Sequence, residues 1–507
     1  MLLSVSLATR SCAFFVAAAC AAAYAGASDP KAFDDLKTQY EKLLKLHDDK
    51  GTRERRKLLA NCFDFLDQKA CRKMLRDALE NEDAIDTRVV AVQVLGASGD
   101  PKDLDGIVKS IAKDKLRGTA IALGEGIGYT AEELAAPAAL RAAELAAKAK
   151  GDLRVSLLEG VGILGAPAAY DALVAIGDKL TPEEHFVQHI ALGACGREKA
   201  VPVLLADQRA ANAAIRLGTT IGLARSGAPA ALPALVDALH DSDPRIVEAA
   251  AEALGKAKHT PAAEVLAGVM ATAPLRGRIA IRSALVAILD RDVGLDPAAW
   301  NDLVAKKQPE PPAVPATEPQ LPAFFGIPVA SDRVAILMGI SASSQWQGRL
   351  AREQEGIAAY VDALPDDAEF CVWTYARLTQ KFATSMVAGA ASRSQAKTWV
   401  RKQLYTYGHN LKAAIVEVLA ELPGVDTILV ASDRGPWGEN SAETCQEAIE
   451  VIRRANLTRR VRIHTAFVVP GGRYAKAEVD ADEFEDHGAM LKLLAEISGG
   501  QFVRVEK

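Results

Sequence analysis

Asp332–Ser344 reads DRVAILMGISASS. The run Val334 to Met338 is a buried strand by its unbroken apolar character. It passes directly into a loop carrying hydroxyls at i and i+2, Ser341 and Ser343. A strand that ends in polar side chains places those side chains at one edge of a sheet, so the residues around this stretch decide both the fold and the site.

Downstream, strand and helix patterns alternate to the carboxyl end. VAILM is followed by a helix from about Gln347 to Leu364, EFCVWTYA as strand, and a helix around Ser394 to Leu404. Next come a helix over Asn410 to Leu422, DTILVAS as strand, a helix over Ala442 to Ala455, and VRIHTAFVV as strand. A helix over Met490 to Ile497 and QFVRV as strand complete the series. Such alternation predicts a doubly wound α/β domain over residues 331–507, with a mostly parallel sheet and helices on both faces. Ligands of such sheets sit at the carboxyl ends of the strands, near the point where strand order reverses. The loops after VAILM and after DTILVAS both lie at that edge. Trp373 and Trp399 fit core positions, and the basic run RRANLTRRVR, Arg453 to Arg462, reads as a solvated helix end and strand start.

The stretches FFGIPVASDRVAILMGISAS, LPDDAEFCVWTY, YGHNLKAAI, VDTILVASDRGP, VRIHTAF and GGQFVRV together resemble a bacterial von Willebrand factor A (vWA) domain over nearly all of residues 324–507. That family binds a divalent cation, typically Mg²⁺, through D-x-S-x-S, a threonine after a glycine, and a later aspartate. The resemblance implies Ser341, Ser343 and Asp433 as metal ligands. Two positions depart from it: Gly339 stands for the first aspartate, and His409, in Gly408-His409-Asn410, stands for the threonine. Loss of a carboxylate lowers the negative charge that a hard cation needs, and imidazole suits Zn²⁺ or Ni²⁺ better than Mg²⁺. The site is therefore expected to be degenerate and to hold no cofactor, with His409 pairing with Asp433 in part of the space a metal would fill. The alternative is that the serines merely cap the loop and Asp433 ends a strand. His409, Asn410, Arg434, Trp437 and Trp346 are candidate partner contacts, because Trp and Arg are common interface anchors and both tryptophans follow loops of this edge.

Upstream of the strand, Gln308 to Ser331 holds seven prolines between Pro309 and Pro328, which favours an extended linker over residues 307–330. Phe324 and Phe325 are expected to dock onto the following domain. Before the linker, DTRVVAVQVLGASGD, DLRVSLLEGVGILGA, NAAIRLGTTIGLARSGA, DPRIVEAAAEALGKA and RGRIAIRSALVAILD recur at roughly 30 residues or a multiple of it, each with a second Ala- and Leu-rich helix after it. Each pair is apolar on more than one face and must stack, which gives an α-solenoid over residues 86–306. These units resemble HEAT repeats. Asp243 before Pro244 has the chemistry of a helix cap, and Trp300 fits a plug that closes the last apolar face. Residues 28–85 read as a helical cap, with Phe33, Leu36, Tyr40, Leu43 and Leu44 at helical spacing.

Residues 1–27 pair Arg10 with the short apolar run CAFFVAAACAAAYA and small residues up to Ala27, the pattern of a secretory signal. A lipid attachment at Cys20 competes with simple cleavage. The expected location is the periplasm or surface of a bacterium, with no membrane insertion after the leader is removed. Of seven cysteines, Cys62 and Cys71 lie close enough to bridge two helices, against the reading of all as small buried side chains. No cysteine or histidine pair is read as a zinc set. A net charge of −5 over 507 residues gives no nucleic-acid signature.

Taken together these readings predict a non-enzymatic, exported scaffold that binds protein partners through its solenoid face and its vWA edge. A metal-dependent adhesion protein is the alternative. A hydrolase using Ser341, His409 and Asp433 is the remote one, since no G-x-S-x-G turn is present.

Overall fold

Alanine, leucine and glycine at helical spacing make helices of the first half apolar on several sides, so each is stable only against its neighbours. The computed structural model describes residues 28–46, 49–82, 85–114, 117–177, 179–305, 320–436, 445–469 and 481–506. The leader, most of the proline-rich stretch and Trp437 fall outside these. The described part is a helical array followed by an α/β region built on a mostly parallel sheet. Compact packing divides it at Leu266/Ala267, upstream of the proline-rich stretch.

In the first unit the leading helices open at Gly151, Pro182, Ala213 and Pro244, a spacing of 31 residues. The second helix of a repeat is shorter and begins with a tight 3₁₀ turn, as in Pro229–Ala231 before Leu232–Ala238. Proline opens several of these helices because its missing N–H costs nothing in the first turn. The Asp243 side chain accepts from Arg245 N–H, which is the cap expected of it. Neighbouring leading helices meet backbone to backbone. A Cβ on Gly193 would lie 1.9 Å from Gly222 O, and one on Gly222 would lie 2.4 Å from His189 O, so only glycine allows this approach.

Ion pairs brace the repeat ends. Arg216 grips Asp241 with two bonds of 2.7 and 2.9 Å, and buried Arg154 reaches Glu184, which also closes a capping box with Thr181. The amino-terminal helices bury Phe33, Leu36 and Tyr40 as their spacing predicts, whereas Leu44 is exposed beyond the helix end. Tyr40 O–H and Arg55 Nε both donate to buried Glu82 there. Cys62 and Cys71 are buried free thiols, and Cys71 Sγ donates to Cys62 O.

The second unit is organised by eight strands: β1 (Ala323–Phe324), β2 (Ile327–Pro328), β3 (Arg333–Gly339), β4 (Glu369–Tyr375), β5 (Thr379–Lys381), β6 (Thr427–Ser432), β7 (Arg462–Val468) and β8 (Phe502–Val505). Strands β3 to β8 form one sheet in the order β5-β4-β3-β6-β7-β8, parallel throughout except for β5. The chain steps from β3 to β4 on one side and resumes with β6 on the other. The reversal of strand order therefore lies between β3 and β6. Strands β1 and β2 make a small hairpin that seats buried Phe324 against Tyr360, so the aromatic pair docks as expected.

Helix Leu275–Leu289 belongs to this second unit. Its first N–H donates to Asp332, and Arg276 donates to Asp426 O and Arg460 O at the amino end of the sheet. The proline-rich stretch thus joins two parts of one compact unit. Trp300 is fully buried and its indole N–H bonds to Gly294 O, consistent with a plug. The basic run is only partly solvated: Arg454 and Arg460 are buried, and Arg459 donates to the carbonyls of Leu419, Leu422 and Pro423, closing the end of helix Leu411–Glu421.

Candidate functional site

The loops after β3 and β6 meet at the strand-order reversal. Ser341 and Ser343 share a hydrogen bond of 2.8 Å, and Ser344 Oγ donates to Gly339 O. Asp433 lies one residue beyond β6 and is buried. The structure therefore brings together Ser341, Ser343 and Asp433, the three residues assigned to a metal.

A guanidinium joins them. Arg349, the first residue of helix Arg349–Ala363, is fully buried and pairs through Nη1 with Asp433. The same nitrogen donates to Ser343 Oγ at 2.9 Å, Nη2 donates to Gly339 O at 3.2 Å, and Nε donates to Glu353 at 3.1 Å. The arginine is anchored by a second fully buried ionisable side chain one helical turn along, Glu353. Burial would lower the Arg349 pKa, but Glu353 and Asp433 hold it above its ordinary value. Burial alone would raise the Asp433 carboxyl; Arg349 overrides this and holds it below the usual range. Burial pushes Glu353 up to about 8 against the pull of Arg349. At neutral pH the cluster is thus Arg349⁺, Asp433⁻ and protonated Glu353, a balanced set with no charge left for a divalent ion.

A divalent cation does not fit here. Ser343 Oγ and Asp433 Oδ2, two of the oxygens it would need, are held by a positive side chain that would repel it, although Asp433 Oδ1 has no hydrogen-bond partner. The missing first aspartate has no room either, because a Cβ on Gly339 would lie 2.9 Å from the Tyr375 hydroxyl and 3.3 Å from Ala431 O.

His409 does not take the place expected of it. Its Nε2 donates to Gly435 O at 3.0 Å, and no hydrogen bond joins it to Asp433 or to Ser341 among the described residues. Its ring packs edge-on against Tyr375. On the other side of the loop, Gly435 N–H donates to His487 Nδ1, so two imidazoles from different elements hold one residue of the Asp433 loop. Burial pushes both histidines down to about 4, and both are neutral near pH 7. Asn410 caps helix Leu411–Glu421 by accepting from Ala413 N–H, which is a structural duty. Arg434 is exposed beside buried Asp433. Trp346 lies in the 3₁₀ segment Ala342–Gly348, with its side chain outside the described residues, as is Trp437.

Arg349, Glu353 and His487 were not legible as site residues, yet a signal for the first two exists. The buried stripe Ile357, Tyr360 and Val361 extends backward at helical spacing to Glu353 and Arg349, so two charges stand on the face that must be covered. The edge also carries unanticipated apolar exposure. Leu378 is 78%, Leu404 77% and Tyr407 81% exposed. They come from two loops that touch, since Thr406 N–H bonds to Ile340 O and Gly408 packs on the Arg377 backbone.

The fold is a helical-repeat array followed by an α/β domain with a mostly parallel six-stranded sheet. A family model of HEAT repeats (HEAT_2) matches residues 201–286. No curated protein sequence matches the chain. Among solved structures the chain is similar to a von Willebrand factor type A protein from Catenulispora acidiphila, at 16% identity and TM-score 0.28, covering 35% of this chain and 39% of that one. It is also similar to the conserved hypothetical protein BatB from Bacteroides thetaiotaomicron, at 18% identity and TM-score 0.26, over 34% of this chain and 90% of that one. The CpcE and CpcF complex of phycocyanin lyase from Nostoc matches at 15% identity and TM-score 0.27, over 53% and 94%.

Proposed function

We propose that the protein is a non-enzymatic, exported interaction scaffold whose vWA-like edge binds a protein partner without a divalent cation. The observation that carries this reading is the Arg349 guanidinium between Ser343 and Asp433. In the metal-dependent mode a partner carboxylate completes the shell of an exposed ion. Here the positive charge is internal and already neutralised, so recognition falls to the rim: Leu378, Leu404, Tyr407 and Arg434. Exposed aromatic and apolar side chains beside an arginine are what protein interfaces use as anchors. The helical array offers the second surface, and the leader-like residues 1–27 support export to a periplasm or cell surface. His409 bonds to Gly435 O and Ser341 to Ser343, which speaks against the hydrolase that would use Ser341, His409 and Asp433 as a triad.

The test is photo-crosslinking from position 407 in the full chain within its native cells. A discrete protein adduct that survives chelation and disappears in Arg434→Ala or Leu378→Asp is the expected result. Adduct formation that requires Mg²⁺, or a rise in melting temperature on adding Mg²⁺, would refute it.

A further inference from the structure

Helix Pro182–Gly196 carries His185 and His189 four residues apart, so both rings leave the same face one turn from each other. Asp207, directly after helix Val201–Ala206, faces them. One donor atom from each of the three lies within 4.8 Å of the other two. The expectation that no histidine pair has a metal spacing is corrected here: the i, i+4 pair is present, and the carboxylate that completes it comes from the next helix of the repeat.

We propose that His185, His189 and Asp207 form a binding site for a first-row transition-metal ion, with Zn²⁺ the best fit. Two imidazoles and one carboxylate suit zinc or its neighbours and not Mg²⁺ or Ca²⁺, which take oxygen shells. Tetrahedral ligation at about 2.0–2.2 Å places donor atoms about 3.3–3.5 Å apart. His189 Nε2 and Asp207 Oδ2 are already 3.2 Å apart. His185 is only partly buried, and its donor lies within 4.8 Å of the other two.

The site is built rather than incidental. His189 is 3% exposed, and its other nitrogen, Nδ1, is 3.0 Å from Thr219 Oγ1. A metal-bound histidine needs such a partner to fix its ring and tautomer. In the tautomer whose Nε2–H donates to Asp207, Nδ1 accepts from the Thr219 hydroxyl. With metal the ring proton moves to Nδ1 and is donated to Thr219, which frees the Nε2 lone pair. No net proton is released. His185 Nδ1 is buried yet has no hydrogen-bond partner. The Asp207 side chain is 42% exposed, so an ion can enter from solvent. Three protein ligands leave the fourth position to water or to a partner's side chain.

The experiment is titration of the metal-stripped full chain with Zn²⁺ by calorimetry and with Co²⁺ by visible absorption. Wild type should bind one ion at this site and give the intense visible bands of tetrahedral cobalt. His185→Gln and Asp207→Asn, both at partly exposed positions, should each weaken binding by more than about tenfold while the fold is kept. Thr219→Val should weaken it by a smaller factor at unchanged stoichiometry. Absence of binding, an octahedral cobalt spectrum, or equal affinity in the three variants would overturn the site. The last result would mean that His189, Thr219 and Asp207 form only a structural hydrogen-bond chain.

Discussion

The Arg349 cluster and the His185–His189–Asp207 cluster hold similar donor atoms but differ in where the positive charge comes from. In the first, two serines and two carboxylates converge, and a buried guanidinium from the next helix supplies the charge. In the second, two imidazoles and a carboxylate converge and no lysine or arginine belongs to the cluster. Similarity of ligand types is therefore a poor guide to metal binding. What matters is whether the chain has already neutralised its own donors, and by that criterion the edge of the α/β domain disfavours a cation while the proposed site in the repeat favours one.

Arg349→Met is the strongest way to break this contrast. It leaves Asp433 and Glu353 buried without a partner, and removal of one member of a buried pair costs about 3–5 kcal/mol. Urea unfolding of the full chain should show a loss of that size in the transition that reports on the α/β domain. A loss under about 1 kcal/mol would mean that the guanidinium is not the counter-charge.

Gly222→Ala comes next. Its Cβ would meet His189 O at 2.4 Å, so overpacking should cost about 1–3 kcal/mol and shift the helix that carries the histidines. Zinc binding should weaken together with stability, while a stable protein of unchanged zinc affinity would show that the helix gives way elsewhere.

The pH dependence sharpens the charge argument. Glu353 has a folded pKa near 8, above its unfolded value, so its contribution is complete below about 4.5 and is lost as pH rises through 8. Between these values stability should fall by at most about 1.4 kcal/mol per pH unit from this group. Glu353→Gln should match wild type near pH 4 and exceed it by a margin that grows from there to about pH 8. His409 and His487 act in the opposite direction. Their folded values near 4 lie below the unfolded value, so stability falls as pH drops from about 6.5 toward 4. An alkaline limb that persists in Glu353→Gln would remove that residue as its cause.

The smallest effect is expected at the exposed rim. Arg434→Ala should change stability by less than about 0.5 kcal/mol, because its side chain is solvated, while abolishing the crosslinked adduct. A large loss of stability would place Arg434 in the structural cluster instead.

The alternation of patterns placed β3, β4, β6, β7 and β8 in advance, and the repeat gave the 31-residue helix spacing, because both rest on periodicities of neighbouring residues. Strand β5 escaped notice because three residues, Thr379–Lys381, carry no periodicity, and it exists only by pairing with β4. The serine loop and Asp433 were legible through their resemblance to a known pattern. Arg349 was not read as a site residue, although its place with Glu353 on the buried stripe of its helix separates it from Arg352. The i, i+4 spacing of His185 and His189 stands in the sequence but was not read as a metal pair, and Asp207 was not visible as their partner.

The amino-acid sequence by itself determined the stacked helical repeats, the α/β alternation, and the serine loop at the end of a buried strand. These follow from local hydrophobic period and cap chemistry, which act over a few residues. Tertiary structure alone decided that a guanidinium stands between Ser343 and Asp433, that His409 serves Gly435 instead of Asp433, and that Asp207 faces two histidines. Each of those outcomes joins residues from separate elements, and the energy of a buried charge or imidazole depends on the partners that packing places within hydrogen-bond reach.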